Sequence, residues 1–351
     1  MKIPAVSVSL AAILSGAMFA QKIPVPDLAQ KSVELSSLTS PGAIPFHLKA
    51  TIQVKGRSYS SEIDEYWMSP TKWRRTIKSP SLNQTIVVNG DSHYELNEGE
   101  YFPVGLQTLS QALFQPFSDQ ILAGLGQSKV KLNFYDCALA SANVCDSNTA
   151  KTGNSPNQGT LFQELCFSGN PAIVSRIRVP FYEVTFSNRQ PFGKLSVARH
   201  LVAGGEGGLE WDADVTELSA ITDLNEQLFA PAENTPEDQR FKVWLVPEDG
   251  FRKQFKNTPT ALALPVSNGK AQSGTVAVFV SIDKDAYVAE SWAEAGLEPE
   301  VADAIHQQVA KWRFSDKPDG ATRMVQLETF LTLSFTTQLN PSAGSAPAAQ
   351  K

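Results

Sequence analysis

The chain has 351 residues, 42% hydrophobic and 19% charged, with a net charge of −6. That length supports two domains and a sizeable core. The acidic balance excludes general nucleic-acid binding, which needs a concentrated basic surface.

Residues 1–20 carry Lys2, an apolar run and Ala17-Met18-Phe19-Ala20. This reads as a secretory signal cleaved near Gln21, into a Gram-negative-type periplasm. An uncleaved anchor is the weaker alternative, because the run is shorter than the roughly 20 residues a span needs. A helical stretch, Asp27 to Leu38, comes next. Strand-period segments follow at 47–54, 57–68 and 73–77, and then a hairpin in which Asn89-Gly90 separates Gln84–Val88 from Ser92–Leu96. Leu106, Leu109, Leu113, Phe117, Ile121 and Leu125 form a helical stripe, broken or kinked by Pro116. Strands resume at 129–136, 161–167, 172–178, 181–187, 194–202 and 209–218, around an exposed polar loop from Ala140 to Gly159. Residues 221–240, with Pro231, Pro236 and several acids, mark a linker. The last domain, 241–339, reads strand, turn, strand, helix, long strand. Val276, Val278, Val280 and Ile282 share one face. Leu297, Val301, Ile305 and Val309 recur at helical spacing, and Val325, Leu327, Leu331, Leu333 and Phe335 alternate again. The tail, 340–351, is rich in Pro, Ser and Ala and is expected to be disordered.

Two resemblances follow from these segments. Ser69-Pro70-Thr71-Lys72-Trp73-Arg74 after the second strand, with Val87-Val88-Asn89-Gly90-Asp91 leading into His93-Tyr94, is similar to the LolA-like periplasmic lipoprotein carriers. That likeness covers the 25–220 domain and implies an open half-barrel with an apolar concave face for an acyl or lipoprotein ligand. Residues 262–337 resemble the C-terminal domain of the TonB family of periplasmic energy transducers. The matching residues are Gly274-Thr275-Val276, Ile282-Asp283-Lys284-Asp285, Lys311-Trp312-Arg313-Phe314, Gly320 and Leu333-Ser334-Phe335. Leu264-Pro265 stands where that family usually has Tyr-Pro. This resemblance implies strand addition by a segment of an envelope protein. The docking edge would be Met324, Val325, Gln326, Leu327, Leu331, Leu333 and Phe335.

The expected class is therefore α+β: a curved antiparallel half-barrel with helices, then a small antiparallel sheet packed on one helix. Export makes a disulfide plausible among Cys137, Cys145 and Cys166. Cys137–Cys166 is the favoured pair, since Cys137 follows one strand-like segment and Cys166 sits in another, and Cys145–Cys166 is next. Four scattered histidines, His47, His93, His200 and His306, lack metal-ligand spacing. Gly204-Gly205-Glu206-Gly207-Gly208 lacks the Lys-Ser/Thr of a phosphate loop and reads as a hairpin turn. Glu62/Asp64/Glu65 and Asp212/Asp214 are better read as solvated strand-face carboxylates than as acid–base pairs. Trp73-Arg74-Arg75 is the densest basic spot. It could meet a phosphate or lipid head group, although exposed strand arginines are the commoner case. No nucleophile elbow or metalloprotease motif is present, so no catalytic residue, cofactor or metal is expected. The leading reading is a non-enzymatic periplasmic binding protein linked to TonB-type transport. The alternative is a carrier of an acylated ligand, and the sequence fixes no oligomeric state.

Overall fold

The structure, a computed structural model, describes residues 24–117, 130–132, 137–140, 164–178, 182–205, 209–223, 225–232, 235, 237, 240–266, 272–283, 285–294, 296–314 and 325–339. The predicted signal, Cys145, most of the polar loop and the tail lie outside them.

Helix α1 (Val25–Ser36) starts earlier than expected, because Pro24 caps it and Pro26 occupies the first turn, where a missing N–H costs nothing. Its buried face is Val25, Leu28, Ala29, Ser32, Val33 and Ser36. Strands β1 (Phe46–Val54), β2 (Ser60–Ser69), β3 (Lys72–Lys78), β4 (Leu82–Asn89) and β5 (Ser92–Gly99) form a meander. The hairpin falls one residue later than the Asn-Gly reading: Asn89 pairs with Ser92, and Gly90 takes φ +65° in the turn. Helix α2 (Val104–Ala112) follows, then β6 (Val130–Leu132), β7 (Cys137–Ala140), β8 (Glu164–Ser168), β9 (Ile173–Arg178), β10 (Glu183–Phe192), β11 (Leu195–Gly204) and β12 (Trp211–Ala220). All twelve strands make one sheet, in the order β5-β4-β3-β2-β1-β12-β11-β10-β9-β8-β7-β6. Every neighbouring pair in it is antiparallel. Helix α1 packs on β9 and β11, and α2 packs on β11 and β12. The core between them holds Phe46, stacked on Trp67 at 5.4 Å, together with Phe114, Phe192 and Trp211. Gly105 of α2 lies flat on Trp211, and a Cβ there would sit 2.4 Å from the indole.

The second sheet contains β13 (Lys242–Leu245), β14 (Ala261–Val266), β15 (Ser273–Ile282), β16 (Val288–Ala293) and β17 (Val325–Leu339). Its helices are α3 (Glu248–Gln254) and α4 (Pro299–Val309). Phe251 and Phe255 from α3 join Val301, Ile305 and Val309 from α4, Phe314, and the inward residues of β15 and β17 in one core. The linker wraps the border of β5, where Tyr94 bridges to Glu237, and the Phe241 amide donates to Glu95 at 2.7 Å.

The α+β expectation is overturned. Antiparallel sheet dominates the chain, and its largest unit is a twelve-stranded sheet rather than a half-barrel with helices. Among the described residues the helical stripe gives the nine residues of α2, after which the chain turns at Leu113 and Phe114 before Pro116; Ile121 and Leu125 lie outside the described residues. The second sheet is mixed, because β13 and β14 both run parallel to β17.

Candidate ligand-binding face

Side chains on a strand alternate between faces, so cross-strand register sorts the residues of β2 to β5. Glu65, Arg75, Ile86 and Glu95 form one row. Trp67, Trp73, Val88 and His93 form the next row on the same face. Ile63, Ile77, Gln84 and Asn97 form a third. This is the inner face, shared with Phe46 and Leu48 of β1.

At the centre of this face, Arg75 and Glu65 are paired beside the apolar Trp67, Trp73, Ile86 and Val88. The Arg75 Nε donates to Glu65, whose side chain is 1% exposed against 20% for the arginine. The guanidinium lies 4.1 Å from the centroid of the Phe114 ring and 5.5 Å from that of Trp73. An aromatic face attracts a cation, most strongly once both have left water. Burial pushes the Glu65 carboxyl up, and Arg75 partly opposes that shift. Around the arginine, Trp73, Ile86, Val88 and His93 are half-buried. The result is an aromatic and aliphatic floor carrying one cation. It lies on the β3–β5 side of the sheet, away from the strands on which α1 and α2 chiefly pack.

Glu95 closes the floor at the β5 border. It accepts from Gln84 Nε2 at 3.0 Å, Asn97 Nδ2 at 2.9 Å and the Phe241 amide at 2.7 Å, and it meets His93 Nε2 at 3.1 Å. A buried carboxylate is tolerated when its lone pairs are filled in this way.

The other predicted residues scatter. Arg74 points to the outer face and donates to the Leu228 carbonyl at 3.2 Å, so the Trp73-Arg74-Arg75 run is divided between faces and makes no basic patch. Asp64 holds His47 at 2.9 Å and Asp214 holds His200 at 2.8 Å. These pairs lie on the outer face, separate from Glu65. His306 contacts Ser291. Among the described residues, no group of three or more His, Cys, Asp or Glu could hold a metal ion. Gly204 ends β11, and residues 206–208 of the glycine run lie outside the described residues. Cys137 stands directly opposite Cys166 in the β7–β8 register, and Cys166 is disulfide-bonded.

The proposed docking edge is not an edge. Strand β17 pairs with β15 from Ser273↔Thr336 to Ile282↔Leu327. Its other border pairs with β13 over Val325–Glu328 and with β14 over Ser334–Leu339. Helix α3 bridges the gap between them: Glu248 accepts the Thr332 amide at 3.1 Å, and Arg252 donates to the Thr332 carbonyl at 3.2 Å. Thus Val325 and Gln326 are paired through their backbones. Leu327, Leu331, Leu333 and Phe335 are core residues, and Met324 lies outside the described residues. Side-chain alternation reports which face of a strand is buried; it says nothing of what occupies the strand's two borders. The sequence reading also passed over the Glu65–Arg75 pair. A signal was present, because period two puts Glu65 between the inward residues Ile63 and Trp67.

No family model and no curated protein matches the chain. Among solved structures, it is similar to a LolA-superfamily protein from Nitrosomonas europaea, at 12% identity over 58% of this chain and 97% of that chain, with a TM-score of 0.33. A second is an outer-membrane lipoprotein-sorting protein domain from Vibrio parahaemolyticus, so described provisionally, at 10% identity, 58% and 95% coverage and a TM-score of 0.31. A third is a DUF1329 family protein from Desulfovibrio piger, at 9% identity, 58% and 95% coverage and a TM-score of 0.35. Likeness at these values assigns neither a ligand nor an activity. The TonB resemblance finds no support in these comparisons.

Proposed function

We propose that the chain is a non-enzymatic binding protein of the periplasm whose inner sheet face receives an amphipathic, acylated ligand. The observation that carries this reading is the Arg75 guanidinium. It is partly exposed on a floor of Trp73, Ile86 and Val88 and is held in place by Glu65 and Phe114. An apolar floor suits an alkyl chain, and a fixed cation beside it suits an anionic head group. Two solved structures to which the chain is similar carry LolA-superfamily or lipoprotein-sorting descriptions, in keeping with this class of ligand. Export fits the sequence of residues 1–20 and the disulfide at Cys166, since such bonds persist in oxidising compartments. No helix among the described residues is long and apolar enough to cross a membrane.

Native mass spectrometry of the full chain purified from its host tests this. A co-purified acyl species is expected, lost in the Trp73→Asp variant. An added fluorescent fatty acid should bind and quench Trp73 emission by energy transfer. Protein that carries no lipid and ignores the added probe would refute the reading.

A further inference from the structure

The two sheets meet along a seam that the proposed ligand face does not use. On the side of the second sheet away from α4, Ser281 is flanked by Glu290 on β16 and Glu328 on β17. The two glutamates therefore belong to one cross-strand row. Phe279, Trp292 and Phe330 form the neighbouring row. Onto this surface docks the segment Tyr101 to Gln107 of the first domain. The Val104 amide donates to Glu290 at 3.1 Å. The Phe102 amide donates to Gln326 Oε1 at 3.0 Å, and Gln326 Nε2 returns a bond to the Phe102 carbonyl at 3.1 Å. Gln326 also donates to Ser281 Oγ at 3.1 Å and to Glu328 at 3.2 Å. Tyr182 packs edge-on against Trp292, with ring centroids 5.7 Å apart.

Among the described residues neither Glu290 nor Glu328 has an ion-pair partner. The titratable groups facing them are Tyr101 and Tyr182 from the first domain and each other from the second. The Tyr101 hydroxyl faces Ser281 and Glu290, and the Glu290 Oε2 atom is buried beside it. Both glutamates are half-buried, and a carboxylate taken out of water without a cation costs far more than a neutral carboxyl.

We propose that the seam is a proton-dependent latch: with Glu290 and Glu328 neutral the two sheets stay docked, and ionisation of the pair releases them. Burial pushes Glu290 up to about 7, with Glu328 adding to the shift and the Val104 amide opposing it. Burial likewise pushes Glu328 up to about 7, opposed by Gln326 and Gln107. The sign follows from linkage. Undocking returns both carboxyls to water and moves them toward the ordinary value of 4.5, so the docked form holds extra protons between pH 4.5 and about 7. Docking is strongest below that window and weakens as pH rises through it, by up to about tenfold per pH unit for each carboxyl.

Hydrogen exchange of the full chain at pH 5, 6, 7 and 8, corrected for intrinsic rates, tests the latch. The amides of Phe102 and Val104 should lose protection as pH rises from 5 to about 7 and level off by pH 8, while those of β1 and β12 do not. In the Glu290→Gln/Glu328→Gln variant, which mimics the neutral pair, protection of the two amides should stay high across the range. Scattering in solution gives an independent readout: the wild-type radius of gyration should grow with pH and that of the variant should not. Protection that is flat with pH in the wild type, that rises with pH, or that changes equally in the two proteins would overturn the proposal. Far-UV circular dichroism confirms that the variant is folded. A variant that fails to fold is replaced by Glu328→Gln alone, for which half of the pH response should disappear.

Discussion

Replacing Arg75 by Met isolates the physics of the inner face. Met keeps an apolar stem against Phe114 and removes the charge. Glu65, 1% exposed, then loses the partner its carboxylate has among the described residues. Breaking a buried pair from one side costs about 3–5 kcal/mol. Protonation sets an independent ceiling. A carboxyl forced neutral on folding costs about 1.36 kcal/mol for each pH unit above its ordinary value of 4.5, or roughly 3.4 kcal/mol at pH 7. The two figures agree, so Arg75→Met should lower unfolding free energy at pH 7 by about 3 kcal/mol. The sign is specific. A carboxyl raised in the folded state favours folding at low pH and disfavours it as pH rises, so the deficit relative to wild type should shrink toward pH 4.5. The double variant Glu65→Met/Arg75→Met removes both charges and should recover most of the loss, since apolar replacements of buried pairs are often neutral. Urea unfolding of the three proteins between pH 5 and 7.5 provides the assay. A deficit independent of pH, or a double variant weaker than Arg75→Met, would refute the reasoning.

Three further outcomes are expected. Gly105→Ala places a Cβ 2.4 Å from Trp211 and should destabilise by about 1–3 kcal/mol, read by thermal unfolding, because the rigid indole must move. Glu95→Ala leaves Gln84, Asn97 and the Phe241 amide without their shared acceptor, and hydrogen exchange should show the linker amide at 241 losing protection. Non-reducing peptide mapping should recover Cys166 joined to Cys137, the residue opposite it in register, and not to Cys145.

Much of the first sheet could be read from local pattern. The alternation in β1 to β5 and the turn at Gly90 depend on neighbours in sequence, and both emerged within three residues. The pairing that joins the two halves of the sheet did not. Strand β1 pairs with β12 at Phe46↔Ala220, and no local signal links segments so far apart. The helical stripe gave α2, which ends before Pro116 as a break there requires; its later members, Ile121 and Leu125, lie outside the described residues. Short strands escaped notice for want of length. Four residues of β13 and six of β14 are too few for a period to declare itself, yet these strands occupy the border of β17 that seemed open. At the seam, Glu290 and Glu328 look like ordinary surface acids until the first domain lies over them.

The placement of β17 also governs the order of assembly. It is the middle of its sheet but follows every one of its partners in the chain. Until a growing polypeptide has delivered residues 325–339, β13 and β14 have nothing to zip against, and the phenylalanines of α3 lack half their covering. Premature termination ahead of Val325 would strand that entire module while sparing the twelve-stranded neighbour, so a nonsense change there should yield a half-folded, protease-sensitive product.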